Sequence, residues 1–373
     1  MSTLSVSSGF TIRKPKGVPG GIEDGSLLKL RQASAMYARR TLSTLMAALI
    51  IGIIPSNNAD ARFERIGGMF SSLKKIRMPS IRNIKMPRLS AFFGSYIYQE
   101  PFERDYNMPN LGTLSVSNIE GNITVQTGAT PDTILLQANK RANEQDTLAN
   151  ISLQESSVRK NNRSHLSLAT IFVGEKTKGA VDYTLHVPTS LSLQLRTSSG
   201  TITVKGINGK VIAQTTKGNI DIQETTGTVL AQTEQKGNIS LDHINGDIKT
   251  VTANGKIDVL NATKSIIASA EKGSINAQME KLDPDTLLEL NSTSGNITLA
   301  LPQGASARVN GRTESGMLTS SHWIRINPYT TQLDRSAWRQ FRRSVEGSIN
   351  AGEAEVKLSS NSGNIKIVDT ATA

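Results

Sequence analysis

Cysteine is absent from the sequence, and aromatic residues make up only 4% of it. The absence of cysteine excludes disulfide bonds, cysteine-ligated zinc, a thiol nucleophile and a lipidated cysteine anchor. The shortage of aromatic rings argues against a bulky globular core and is compatible with a thin core of β-branched side chains. Glycine, threonine, serine and asparagine are prominent instead, and these residues favour strands and turns.

Most of the chain also lacks a strong net charge. The total is +11, but residues 1–61 contribute +4 (seven basic, three acidic) and residues 62–105 contribute +5 (nine basic, four acidic). Residues 106–373 therefore carry only +2, with 26 basic and 24 acidic side chains. Since nucleic-acid binding needs a basic folded surface, this distribution predicts no nucleic-acid partner.

Residues 36–61 have the pattern of a secretory signal peptide. Its three parts are a pair of arginines, a short apolar run and a small-x-small cleavage site: Arg39–Arg40, Leu42–Ile54 and Ala59–Ala61. The apolar run has 13 residues, whereas a membrane-spanning helix needs about 20, so cleavage after Ala61 is favoured over a retained anchor or a core helix. We expect translation to start at Met36 and the product to be exported to the periplasm, outer envelope surface or medium.

Residues 62–105 are predicted to be a basic linker. Arginines and lysines alternate there with apolar residues, but Pro79 and Pro87 prevent one continuous helix. One interpretation is a solvated linker, and the other is a cationic patch that rests on anionic lipid headgroups or a polyanionic glycan.

The strongest signal is a repeat that begins near residue 200. Glycines recur at steps of nine or ten residues at positions 200, 209, 218, 227, 237, 246 and 255, and Lys264 replaces the next one before Gly273. Two residues after each marker comes a β-branched aliphatic residue: Ile202, Val211, Ile220, Val229, Ile239, Ile248, Ile257, Ile266 and Ile275. Apolar residues that alternate with polar ones after a glycine predict strands joined by tight corners.

The repeat contains two kinds of unit in alternation. Odd units place Val204, Ile222, Leu241, Val259 and Ala277 four residues after the marker, and even units place Ala213, Ala231, Thr250 and Ala268 there. The true period is therefore about 18 residues with two strands per turn, which predicts an all-β parallel solenoid. An antiparallel hairpin series that forms a sandwich is the alternative.

Looser copies extend the predicted domain over 106–373. They begin at Gly112 and Gly121 and continue at Gly295, Gly347 and Gly363. Residues 133–195 alternate like strands without glycine markers, and the polar stretches 141–149 and 156–164 are predicted to be surface loops.

Two stretches resemble a known family. "VDYTLHVPTSLSLQLRTSSGTITVKGINGKV" (181–211) and "GSINAGEAEVKLSSNSGNIKI" (347–367) are similar to the bacterial adhesin-like family of β-strand-repeat domains of unknown function. The resemblance covers roughly 110–370. It implies a secreted or envelope-exposed β-solenoid and no catalytic residues to transfer, and the insert at 321–346 departs from it.

The sequence contains no cofactor or metal motif. His165, His186, His243 and His322 lack a second ligand at metal spacing, and the corners lack the G-G-x-G-x-D signature of calcium-binding rolls. Asp221 and Asp258 belong to an outward polar ladder on the odd strands, where paired carboxylates could serve a glycan lyase or hydrolase. Ser240 separates them, so a solvated ladder is the preferred interpretation.

Two features are candidate partner-binding sites. The even strands place Ile212, Leu230 and Ile267 outward as an apolar stripe interrupted by Lys249, which predicts a cover from this chain or from a protein partner. The insert 321–346 holds residues typical of binding anchors: Trp323, Arg325, Tyr329, Trp338, Arg339, Phe341 and Arg342. The insert is interpreted either as a cap that docks on the solenoid or as a binding tip.

Together these patterns predict an exported, non-enzymatic, adhesin-like scaffold that binds a partner or attaches to the cell envelope. A polysaccharide-active solenoid enzyme and a structural protein that self-associates through open end strands are the alternatives.

Overall fold

The computed structural model describes residues 96–108, 111–128, 130, 132–160, 162–174, 178–326 and 342–370. The predicted signal peptide, with Ala59 and Ala61, lies outside the described residues, as does most of the basic segment 62–105. Within the described part of the chain, no helix is long and apolar enough to cross a membrane.

The described residues form 25 strands and one short helix. The first group is β1 (Tyr98–Asn107), β2 (Leu111–Glu120), β3 (Ile123–Thr127), β4 (Thr133–Ala142), α1 (Gln145–Ala149), β5 (Ile151–Lys160), β6 (Arg163–Phe172) and β7 (Gly179–Val187). The middle group is β8 (Ser192–Ser199), β9 (Ile202–Lys205), β10 (Val211–Lys217), β11 (Ile220–Thr226), β12 (Val229–Lys236), β13 (Ile239–Asn245), β14 (Ile248–Asn254), β15 (Ile257–Ala262), β16 (Ile266–Lys272), β17 (Ile275–Met279), β18 (Leu287–Ser294) and β19 (Ile297–Leu301). The last group is β20 (Ala307–Thr313), β21 (Leu318–Ser320), β22 (Arg325–Ile326), β23 (Ser344–Ile349), β24 (Ala354–Ser362) and β25 (Ile365–Asp369).

From β8 to β19 the chain coils as the 18-residue period predicts. Successive strands alternate between two sheets, and each strand pairs in parallel with the strand one turn before it. We call the sheet that contains β9, β11 and β13 sheet A and the one that contains β8, β10 and β12 sheet B. The parallel solenoid is therefore confirmed, and the hairpin sandwich is wrong for this region because like strands stack on like.

The core consists of aliphatic rows, one residue from each turn. In sheet A, Ile202, Ile220, Ile239, Ile257 and Ile275 lie opposite one another in register, and all five are fully buried. In sheet B, Val211, Val229, Ile248 and Ile266 form the matching row. Burial of each such side chain contributes about 2 kcal/mol, and the neighbouring turns share that contribution.

The corner glycines stack in a column because the backbone of one turn lies directly on the next. A methyl group built on Gly237 would overlap the carbonyl oxygen of Gly218, and one built on Gly218 would overlap that of Gly200. Gly237 and Gly255 do not have a left-handed backbone, so the close approach of the neighbouring turn is what requires glycine there. Gly200 and Gly218 also have positive φ values, of 151° and 140°, which favour glycine as well.

Polar side chains satisfy the backbone groups at these corners. Buried threonines and serines of sheet B donate to the glycine carbonyl oxygens, as Thr215 does to Gly200 (3.2 Å) and Thr252 to Gly237 (3.1 Å). Asparagines that follow the glycines accept from the next turn: Asn219 Oδ1 accepts the Asn238 N–H, and Asn238 Oδ1 accepts the Lys256 N–H, both at 2.9 Å. The threonine- and asparagine-rich composition therefore supplies partners for corners that water cannot fully reach.

The two ends of the coil depart from simple sequential stacking. At the first end β2 and β3 lie beside β8 and β9, while β6 and β7 lie outside them. At the last end β24 and β25 lie between β18 and β19 on one side and β20 and β21 on the other. Antiparallel pairs lie outermost at three of the four sheet edges: β1 with β4, β5 with β6, and β22 with β23.

Several sequence expectations fail at these ends. The predicted loop 156–164 is mostly a hairpin of β5 and β6, and 141–149 contains the end of β4 and α1. Gly347 lies inside the antiparallel β23, while Gly316, which the repeat pattern missed, stacks on Gly363 as a corner. The first strand, β1, begins at Tyr98, eight residues before the predicted start of the repeat domain at residue 106.

Replacement of Gly237 by alanine tests the stacked corner. We expect the free energy of unfolding to fall by more than about 3 kcal/mol, because backbone atoms must move apart in two turns. Gly304→Ala is the control: nothing lies within 4 Å of the added methyl group, so only its positive φ of 79° is strained, at about 1–2 kcal/mol. Chemical denaturation measures the free energy of unfolding of both variants. Equal losses of stability in the two variants would contradict the explanation that the neighbouring turn leaves no room for a side chain at Gly237.

Candidate functional site

The outer face of sheet A carries the predicted polar ladder. Thr203, Asp221, Ser240, Asp258 and Asn276 lie opposite one another in register on adjacent strands. Ser240 therefore separates the two carboxylates, which lie two strands apart, or about 9–10 Å. The predicted order and orientation of this ladder are confirmed.

Both carboxylates of this ladder contact neighbouring side chains. Asp221 accepts from Gln223 Nε2 at 3.2 Å, and Asp258 accepts from Asn276 Nδ2 at 2.9 Å and pairs with Lys256 Nζ at 2.8 Å. Both carboxylates are half-buried and already contact neighbouring side chains. This arrangement is typical of a polar ladder that stabilises the surface of a sheet.

One edge of this face has an unusual backbone. Glu224, His243 and Asn261 lie at equivalent places on successive turns and have positive φ values of 52°, 53° and 52°. Partial burial raises the pKa of the Asp242 carboxyl, but hydrogen bonds from Asn261 Nδ2 and His243 outweigh it and hold the pKa below its usual range. His243 thus has a carboxylate partner, and among the described residues no group of three or more acidic or histidine side chains could hold a metal ion.

The outer face of sheet B carries the predicted apolar stripe. Ile212 lies opposite Leu230, Leu230 opposite Lys249, and Lys249 opposite Ile267, and all four are half-buried. Val251, which the stripe prediction omitted, lies beside Lys249 on the same face. Desolvation among these neighbours lowers the pKa of the Lys249 ammonium group.

No described strand lies over this stripe. Sheet A has 12 strands and sheet B has 13, which accounts for all 25 strands in the described residues. Residues 133–195 and the insert 321–346 were the two candidates for an intrachain cover. The described strands of 133–195 instead extend the two sheets, and most of the insert lies outside the described residues.

The insert 321–346 is only partly described. Trp323 is 95% exposed, and Arg325 and Arg342 are also exposed. The other candidate anchors, Tyr329, Trp338, Arg339 and Phe341, lie outside the described residues, so the predicted set as a whole stays a prediction.

The structure adds arginines that the sequence reasoning missed. Arg308 and Arg312 on β20 are exposed, and β20 pairs with β23, which in turn pairs with β22 and its Arg325. The signal in the sequence was "ARVNGRT" (307–313), where arginines four residues apart on a strand share a face. This pairing brings basic side chains distant in sequence to one end of sheet B.

The family model for Toastrack DUF4097 matches residues 113–368. The chain belongs to the Toastrack DUF4097 family. The match covers both the regular coil and its interleaved ends, and it agrees with the sequence resemblance to a β-strand-repeat family of unknown function.

Solved structures similar to this toastrack chain are distant. A candidate adhesin from Bacteroides fragilis is 12% identical with a TM-score of 0.35, and the alignment covers 72% of this chain and 97% of that one. A candidate cell adhesion protein from Clostridium sporogenes is 9% identical with a TM-score of 0.23, covering 73% and 100%. A candidate adhesin from Parabacteroides distasonis is 11% identical with a TM-score of 0.21, covering 72% and 97%. None of the curated proteins compared with the chain matches it.

Substitution of Trp323 tests whether the insert 321–346 of this toastrack domain is a cap that docks on the solenoid or a binding tip. Because its side chain buries almost no surface, we expect Trp323→Ala to change the free energy of unfolding by less than about 0.5 kcal/mol. Ile324→Ala is the matched neighbour: Ile324 packs against the core, so its truncation should cost about 1–2 kcal/mol. A large loss for Trp323→Ala in thermal unfolding would show that the indole docks as a cap.

Proposed function

We propose that this toastrack chain is an exported, non-enzymatic, adhesin-like scaffold that binds a component of the cell envelope. The observation that carries the proposal is the apolar stripe Ile212–Leu230–Ile267, which no described strand covers. An apolar strip on the outer face of a regular sheet suits a partner surface, because contact with a partner removes it from water.

The two alternatives have less support. A glycan-active enzyme would need free acids on sheet A, yet Asp221 and Asp258 contact their own neighbours. Self-association through open end strands would need long free edges. At the last end the edge strands in the described region are short, three residues in β21 and two in β22. At the first end the edge strands β1 and β5 have ten residues each, but β1 carries Pro101 with several charged residues and β5 carries Glu155 and Arg159, which disfavour edge pairing.

Export depends on the signal peptide predicted in residues 36–61. We expect the chain purified from the envelope or medium to begin at Arg62, because Ala59 and Ala61 form the small-x-small site. N-terminal sequencing checks this, and a mature chain that retains residues before Ala61 would contradict cleavage. The basic segment 62–105 would then lie near the new N-terminus, where it can attract anionic lipid or glycan.

Substitutions in the stripe test the binding surface. We expect Leu230→Gln with Ile267→Gln to weaken binding to isolated envelopes about fivefold or more, because apolar contact area is lost. Stability should change by less than about 1 kcal/mol, since both side chains are half-buried on an outer face. Cosedimentation with envelopes measures the binding, and thermal unfolding measures the stability.

Leu260→Gln is the matched control for the stripe. Leu260 is 40% exposed on the outer face of sheet A, so its substitution removes exposed apolar surface from the opposite face. If the control weakens envelope binding as much as the stripe variant does, sheet B is not the binding face.

A further inference from the structure

Three arginines from two separate segments share the outer face at the last end of sheet B. Arg308 lies opposite Ser348 on β23, and Ser348 in turn lies opposite Arg325 on β22. Arg312 is four residues along β20 from Arg308 and therefore on the same face. We call Arg308, Arg312 and Arg325 the arginine cluster.

Two acidic residues lie beside the arginine cluster: Glu355 on β24 lies opposite Arg308, and Glu346 on β23 lies opposite Asn310, between Arg308 and Arg312. All three side chains are exposed, and within the described ranges none of them forms an ion pair. On the adjacent β24, Glu355 instead pairs with Lys357 at 2.9 Å. Glu346 is the one acidic residue within β20, β22 and β23, so this corner of the sheet keeps a net positive charge.

An exposed aromatic ring adjoins the arginine cluster in the chain. Trp323 precedes Arg325 by two residues and is 95% exposed, and Ile326 is 41% exposed. An indole left in water beside free guanidinium groups is typical of a binding surface, because tryptophan and arginine are the residues that most often anchor ligands.

We propose that the arginine cluster, together with Trp323, binds a linear acidic polysaccharide. Arg308 and Arg325 lie two strands apart, about 9–10 Å, which suits charged groups on alternate sugars of an extended chain. The planar guanidinium fork binds a carboxylate through two parallel N–H···O bonds, and the indole offers a face on which a sugar ring stacks. This inference rests on the proposed binding function and names the ligand class for a second surface of the same sheet.

The arrangement favours a polysaccharide over a lipid surface. A bilayer attracts basic residues as point charges, which lysine supplies as well as arginine. Here the three basic residues of the cluster are all arginine, so bidentate recognition of separate carboxylates is the better match.

The test uses the full exported chain and polygalacturonate as the acidic polysaccharide. Neutral dextran of similar length, and vesicles of phosphatidylglycerol with phosphatidylcholine, are the comparison probes. We expect the unsubstituted chain to bind polygalacturonate and to lose affinity as salt rises. The triple variant R308Q/R312Q/R325Q should bind at least about tenfold more weakly, because three charge-assisted contacts are removed.

A matched variant controls for net charge. K217Q/K236Q/K272Q removes three exposed lysines from the ends of β10, β12 and β16, and it should keep the affinity of the unsubstituted chain. R308K/R312K/R325K keeps the charge but loses the fork, so it should bind with intermediate affinity. If R308Q/R312Q/R325Q and K217Q/K236Q/K272Q bind polygalacturonate with equal affinity, the arginine cluster is not the binding site.

Three further outcomes distinguish the polysaccharide assignment from a lipid surface and from the proposed function. Binding to the anionic vesicles but not to polygalacturonate would overturn the polysaccharide assignment in favour of a lipid surface. If the unsubstituted chain binds envelopes through the stripe but ignores polygalacturonate, this inference fails while the proposed function stands. If the chain binds polygalacturonate but the stripe variant binds envelopes normally, the stripe is not the envelope-binding surface and the proposal for the arginine cluster stands.

Discussion

The structure depends on the close stacking of backbone on backbone at the corners of the coil. Strands in a sheet lie about 4.8 Å apart, and this spacing must hold through each corner as well as along each strand. At Gly218, Gly237 and Gly255 the carbonyl of one turn occupies the space that a side chain of the next would need. Glycine at the corner, a threonine that donates to its carbonyl and an asparagine that links to the next turn are consequences of this one constraint.

The same constraint decides where function can lie. Inward positions are occupied by rows such as Ile202–Ile220–Ile239, which must stay apolar in every turn. Outward positions are free to vary, and the two faces have diverged. Sheet A presents hydrogen-bonded polar side chains such as Asp258, whereas sheet B presents the apolar stripe and, at its last end, the arginine cluster. Both proposed surfaces therefore belong to one sheet.

The ends of the coil solve a separate problem. A stack of parallel strands would leave the core open and its edges unpaired, which invites association with other chains. Antiparallel β1 and β5 are the outermost strands at the first end, where Arg104 pairs with Glu155 and burial beside Glu155 raises the pKa of the Tyr106 phenol. The outermost strand of each sheet at this end is therefore antiparallel to its neighbour, and its other edge has no partner strand within the described residues.

The sequence by itself determined the repeating coil, its two-strand turns and the direction of Ile212, Leu230 and Asp258, because these follow from spacing along a regular strand. Only the tertiary structure decided the interleaved ends and the antiparallel role of Gly347, because long-range pairing chooses among strands that look alike locally. The same holds for Arg308 and Arg325, which are 17 residues apart in sequence and come to one face through the shared neighbour β23. Local periodicity encodes the repeat, whereas the order in which strands meet is a property of the whole fold.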